Sequence, residues 1–167
     1  MAPQPALEQT RRALLETRVP AGHWEGRLSS SALSPATAVV ALEVLRRQGG
    51  EGRLADAGLR WLAAHANRDG GYGDTIDSPS NISTTTLCWA ALGMRPDLPG
   101  VPEAFARAAE WLRRAVGTLD APGLAEAIST RYGIDRTFSV PILTLAAIAG
   151  RFGDGPEAWT SIPALPF

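Results

Sequence analysis

Asn67-Arg68-Asp69-Gly70-Gly71-Tyr72-Gly73-Asp74-Thr75-Ile76-Asp77-Ser78-Pro79-Ser80-Asn81-Ile82-Ser83-Thr84-Thr85-Thr86-Leu87-Cys88-Trp89-Ala90-Ala91-Leu92 joins a glycine-rich aromatic turn, a polar linker and a helix start. Gly70, Gly71 and Gly73 reach backbone angles that a Cβ makes costly, so the chain can reverse sharply around Tyr72. Asn81 or Ser83 can cap the helix that follows by accepting a hydrogen bond from a free N–H. The stretch reads as helix, aromatic-glycine turn, helix. It has a counterpart upstream: Gly22-His23-Trp24-Glu25-Gly26, then Ser29-Ser30-Ser31, then a helix from about Ser34. Trp24 and Tyr72 are 48 positions apart, and Ser34 and Ser83 are 49 apart. A recurrence of that length is the signature of a helical repeat.

Working outward, helical periodicity places further helices over about 5–17, 34–47, 52–66, 83–93, 102–116, 124–131 and 137–151. In the second, Ala38, Val39, Leu42 and Leu45 form the apolar set; in the third, Leu54, Leu59, Trp61 and Leu62. Helix 137–151 is apolar almost all round, which predicts burial on more than one side, and Pro141 is expected in or near its first turn. No stretch shows strand alternation. The chain is therefore read as one all-α domain over 1–167, about three antiparallel helical hairpins with short connections, followed by an extended proline-rich tail over 153–167.

Composition narrows the function classes. The chain has 167 residues, 45% hydrophobic and 20% charged, with net charge −1. That suits a globular domain and gives no electrostatic reason to expect nucleic acid. Cys88 is the sole cysteine, so no internal disulfide forms, and a zinc site lacks companions at a recognisable spacing. No apolar run is long enough to span a membrane, and no basic-then-apolar leader opens the chain, so the expected location is cytoplasmic.

The two turns, the segment Arg136-Thr137-Phe138-Ser139-Val140 through Phe152, and the tail Ala158-Trp159 with Ile162-Pro163-Ala164-Leu165-Pro166 together resemble the squalene–hopene cyclase and oxidosqualene cyclase family, in order along nearly the whole chain. The present turn carries Tyr72 where that family has tryptophan. The resemblance implies an α/α barrel, of which three hairpins make about half. It implies that Trp24, Gly26, Gly71, Tyr72 and Gly73 fasten repeats by packing, and that Trp159, with Ile162 and Pro163, lines a substrate cavity. In the family a carboxylic acid in a D-x-D-D motif protonates a polyene, and aromatic faces shelter the cations. None of the eight aspartates here lies in such a motif, so the likeness is to the N-terminal, non-catalytic part.

On this reading the chain holds no catalytic residue and needs neither metal nor organic cofactor. An isoprenoid is the implied ligand. An open half-barrel exposes an apolar flank, which predicts self-association or a partner that supplies the rest of the barrel. Peripheral membrane association follows from the family likeness. The alternative is a non-catalytic helical module that binds an isoprenoid or a partner protein; a gene continuing into a D-x-D-D region would favour the enzyme. A glycan-processing barrel would need convergent carboxylates, for which Asp74, Asp77 and Asp135 are the available set.

Several residues admit a plain and a chemical reading. Trp61, Trp89 and Trp111 read as packing residues before channel residues. His23 reads as a turn residue and Cys88 as a small core residue. Asp74 and Asp77 read as turn-closing groups. Asp135 and Arg136 form either a helix cap or an ion pair, and the cap is favoured.

Overall fold

The computed structural model describes residues 4–26 and 29–164, so the part of the proline-rich segment formed by Leu165 and Pro166 lies outside the described residues. Seven α-helices are present: α1 (Gln4–Glu16), α2 (Leu33–Arg47), α3 (Arg53–Ala64), α4 (Ile82–Leu92), α5 (Val101–Val116), α6 (Ala121–Tyr132) and α7 (Arg136–Ile148). A short 3-10 turn, Pro156–Trp159, follows, so the tail is not extended throughout. No strand occurs among the described residues.

The helices pair as hairpins: α2 with α3, α4 with α5, α6 with α7. The first two hairpins stand side by side, α2 against α4 and α3 against α5. This two-layered arrangement is that of an α/α barrel segment. α7 covers a further side of α4 and touches α2. Glycine closes two of the connections. Gly117 ends α5 at φ +89° and donates its N–H to the Arg113 carbonyl at 2.7 Å. Gly70 sits at φ +92°, where an added Cβ would meet the Arg107 backbone at 3.0 Å.

The helix buried all round is α4, with every residue from Ser83 to Leu92 inside. α7, expected to be buried on several sides, leaves Phe138, Pro141 and Ile148 exposed. Pro141 is the sixth residue of α7, past the first turn. It has no N–H for the Thr137 carbonyl, and the position is tolerated because both residues are exposed and water can reach that carbonyl.

α2 is rotated from its apolar reading. It buries Ala36, Val39, Val40 and Glu43, while Ala38 and Leu45 face out. The cause is ionic. The Glu43 side chain has 0% exposure and accepts from Arg46 Nε at 2.8 Å and Arg95 Nη1 at 3.3 Å. Arg95 also reaches Asp56 Oδ1 at 2.8 Å and grips both oxygens of Asp97 at 2.8 Å. This network ties α2, α3 and the loop after α4. It holds the Asp97 carboxyl down at about 2, chiefly through the Arg95 hydrogen bond, and raises the Arg95 guanidinium. A carboxylate can be buried only when so paired.

α1 stands apart in burial: every one of its residues from Pro5 onward is exposed, including Leu7, Leu14 and Leu15.

Candidate functional site

Four groups of residues carry the chemistry worth weighing. The first is the turn before α4. Asp69 Oδ1 accepts from the Gly71 N–H at 3.1 Å and from Ser80 Oγ at 2.8 Å, and Oδ2 accepts from Trp111 Nε1 at 2.9 Å. Burial pushes the Asp69 carboxyl up, but the hydrogen bonds from Ser80, Gly71 and Trp111 outweigh it, and its pKa falls below the ordinary value. Arg107 and Arg114 on α5 donate to the Asn67 and Asp69 carbonyls at 2.8 and 2.9 Å. The loop is thus anchored to α5 through one carboxylate and two guanidinium groups.

Tyr72 is buried, and its hydroxyl donates to the Leu62 carbonyl at 3.0 Å. Its own carbonyl accepts from the Asn81 N–H at 2.9 Å. A Cβ on Gly71 would collide with Ser80 and the Trp111 ring, and one on Gly73 with the Ser78 and Pro79 carbonyls. Asn81 is the cap of α4, accepting from Thr84 N at 3.0 Å. Asp74 supports that cap: its Oδ1 accepts from Asn81 Nδ2 and Thr84 Oγ1, both at 2.8 Å. Asp69 escaped the sequence reading, although an aspartate two residues before the donor N–H of a glycine turn is the pattern of an Asx turn.

The upstream turn behaves differently. Trp24 is 47% exposed. Its Nε1 donates to the Leu14 carbonyl at the end of α1 at 2.7 Å, and Arg18 lies over its ring at 5.6 Å. Among the described residues, nothing lies within 4 Å of a Cβ built on Gly26. The ring therefore folds back on the C-terminal end of α1, where Tyr72 in the second turn enters the core. Local spacing alike in the two turns leads to different surroundings.

The third group is the tail. Trp159 ends the 3-10 turn and is 48% exposed; Ile162 and Pro163 are half-buried, with Ile162 packed on the core. Arg136 Nη1 reaches the Ala164 carbonyl at 3.4 Å, which draws the tail toward the start of α7. Asp135 caps α7, accepting from Thr137 N at 2.9 Å, and hydrogen bonding with Thr137 lowers its pKa. It forms no ion pair with Arg136 among the described residues.

The fourth is the flank between α2 and α7. An apolar groove of about 460 Å³ runs along Val40, Val44, Leu45, Leu145 and Ile148. Leu45 and Ile148 are exposed along it, and Leu33 and Phe138 are exposed elsewhere on the same two helices. The other tryptophans are packed or bonded elsewhere. Trp89 stacks on Phe105 with centroids 6.0 Å apart under the Arg151 guanidinium, and Trp61 stacks on His65 at 4.1 Å.

Among the described residues no cluster of three metal-ligating side chains occurs, and no helix is long and apolar enough to cross a membrane. The family model described as the squalene-hopene cyclase N-terminal domain matches residues 7–125, from α1 into α6; α7 and Trp159 lie beyond the match. No solved structure matches the chain.

Proposed function

The chain belongs to the squalene-hopene cyclase N-terminal domain family, and on that premise we propose that it supplies one wall of an apolar cavity for cationic polyene cyclisation. The observation that carries the reading is the uncovered α2–α7 flank, whose Leu45, Phe138 and Ile148 face outward where a globular core would turn inward. In this reading Trp159, half exposed beside the last helix, offers an aromatic face to a developing cation. The proton comes from a carboxylic acid outside this sequence, because no D-x-D-D motif is present. The chain alone has no cyclase activity, and the flank is covered by a second copy or by the remainder of the barrel.

The test is a fluorescence titration with N,N-dimethylfarnesylamine, a polyene whose protonated amine stands in for the first cation. Saturable quenching that weakens about two- to fivefold in Trp159→Ala supports the wall. Binding indifferent to Trp159, or none, removes it. A second reading, a non-catalytic module that binds a partner protein, draws on α1, whose Leu7, Leu14 and Leu15 are all exposed. Light scattering after size exclusion separates the two: a dimer supports mutual covering of the flank, and a clean monomer moves the module reading ahead.

A further inference from the structure

Between α2, α4 and α7 lies a partly enclosed cavity of about 210 Å³, separate in chemistry from the open groove beside it. Its walls are hydrocarbon: Leu33 from α2, Leu87 from α4, and Phe138, Ile142 and Leu145 from α7. Pro141 also lines it, at the point where α7 lacks one backbone hydrogen bond. Asp74, Ser83, Thr84 and Tyr132 supply its polar groups.

The hydrogen bonds of those four leave the Asp74 carboxylate with an oxygen that no protein donor reaches among the described residues. Thr84 Oγ1 donates to Asp74 Oδ1 at 2.8 Å, and Asn81 Nδ2 donates to the same oxygen at 2.8 Å. The Tyr132 hydroxyl donates to Ser83 Oγ at 2.9 Å. Thr37, on the α2 side, donates to its own Leu33 carbonyl at 3.0 Å. Asp74 is an exposed residue at the edge of the cavity; its Oδ2 takes no hydrogen bond among the described residues and is open to solvent, while Oδ1 is held by two donors that fix the carboxylate. An oriented carboxylate with one free oxygen beside an apolar chamber selects a ligand with a hydrocarbon body and a donating head.

We propose that this cavity binds a compact hydrocarbon bearing a single ammonium or hydroxyl head, with the head on Asp74 Oδ2 and the body against Leu87, Phe138 and Leu145. At about 30 Å³ per water-sized group, the space admits roughly seven such groups, so the ligand is a small branched or cyclic molecule rather than a long polyene. Both heads donate to the carboxylate, but the ammonium adds an opposite charge that the alcohol lacks, and an anion is repelled. Trp159 does not line the cavity, so the site stands or falls separately from the cyclase-wall reading.

The experiment uses the whole chain and three probes of one shape: cyclohexylmethylamine, cyclohexylmethanol and cyclohexanecarboxylate, followed by ligand-observed NMR and calorimetry. The amine and the alcohol are expected to bind with the amine tighter, and the carboxylate to bind not at all. Asp74→Asn keeps an oxygen for Thr84 and Asn81 but removes the charge and puts an NH2 donor in place of Oδ2; it should weaken the amine about tenfold and the alcohol less, because a hydroxyl can accept from that donor where an ammonium cannot. Leu87→Phe, which fills the chamber, should abolish binding of both while the helical circular dichroism spectrum is retained, and it decides the matter if Asp74→Asn does not fold. Trp159→Ala should change none of these affinities. Failure of both amine and alcohol to bind, carboxylate binding equal to that of the amine, or unaltered binding in Leu87→Phe overturns the proposal.

Discussion

Arg95→Met is expected to destabilise the chain through a residue it leaves untouched. The methionine keeps most of the stem volume but deletes a guanidinium that reaches Glu43 at 3.3 Å, Asp56 at 2.8 Å and both oxygens of Asp97 at 2.8 Å. The three losses are unequal. Asp97 is exposed and rehydrates, so its loss counts for little. Asp56 is partly buried and recovers some water. Glu43 is at 0% exposure and keeps only Arg46 at 2.8 Å. Stripping a partner from a buried charge costs about 3–5 kcal/mol, and with Arg46 remaining the low end, about 3 kcal/mol, applies. At roughly 2–4 °C per kcal/mol for a domain of this size, Tm should fall by about 6–12 °C. Urea unfolding followed by circular dichroism measures the free energy, and thermal scans measure Tm. The double variant Glu43→Met with Arg95→Met removes the stranded charge and should recover most of the loss, because Arg46 is accessible enough to return to water. If Arg95→Met costs less than about 1 kcal/mol, or the double variant is as unstable as the single one, the buried-charge argument fails.

Other outcomes follow from the same contacts. Asp69→Ala removes the acceptor shared by Gly71 N–H, Ser80 and Trp111 and should cost about 1–3 kcal/mol, with a change in Trp111 emission. Because the folded Asp69 pKa lies below its ordinary value of 3.8, its contribution is full above that value and is lost as pH falls through the folded one. The stability gap between wild type and Asp69→Ala should therefore narrow below about pH 4, and a gap that widens there would contradict the hydrogen-bond assignment. Gly73→Ala should be severe, since its Cβ would strike the Ser78 and Pro79 carbonyls, whereas Gly26→Ala should be near neutral; paired urea titrations compare them. Cys88 is buried, and burial pushes its thiol pKa up, so a disulfide reagent should label it only as fast as the chain unfolds. Rapid labelling of the native chain would show that α4 is not enclosed.

The two aromatic-glycine turns show how far spacing carries. Trp24 and Tyr72 share a local pattern, and the pattern marks both reversals. Of the two rings, Tyr72 meets a hydrogen-bond acceptor inside the core, the Leu62 carbonyl, and Gly71 and Gly73 beside it are pressed by neighbours where Gly26 is not, among the described residues. What surrounds a turn depends on helices distant in sequence, and periodicity contains no record of them. α2 teaches the same through charge. An apolar count turns Leu45 inward, yet Glu43 is the buried residue, because Arg46 and Arg95 neutralise it. Arg95 is 52 residues away. A pairing across that distance is invisible to any window along the chain.

Helix existence, the hairpin order, the cap at Asp135 and a cap of α4 at Asn81 or Ser83 were legible in the amino acids alone, because they depend on propensities and hydrogen bonds within a few residues; the structure selects Asn81. The family likeness was legible for the same reason, since its turns and helix starts are local patterns repeated in order. The cavity beside Asp74 was not. Its walls come from α2, α4 and α7, and the Asp74 carboxylate at its edge is held through one oxygen by Asn81 and Thr84. Those are properties of how helices pack, which depend on volumes and directions that the folded chain alone brings together.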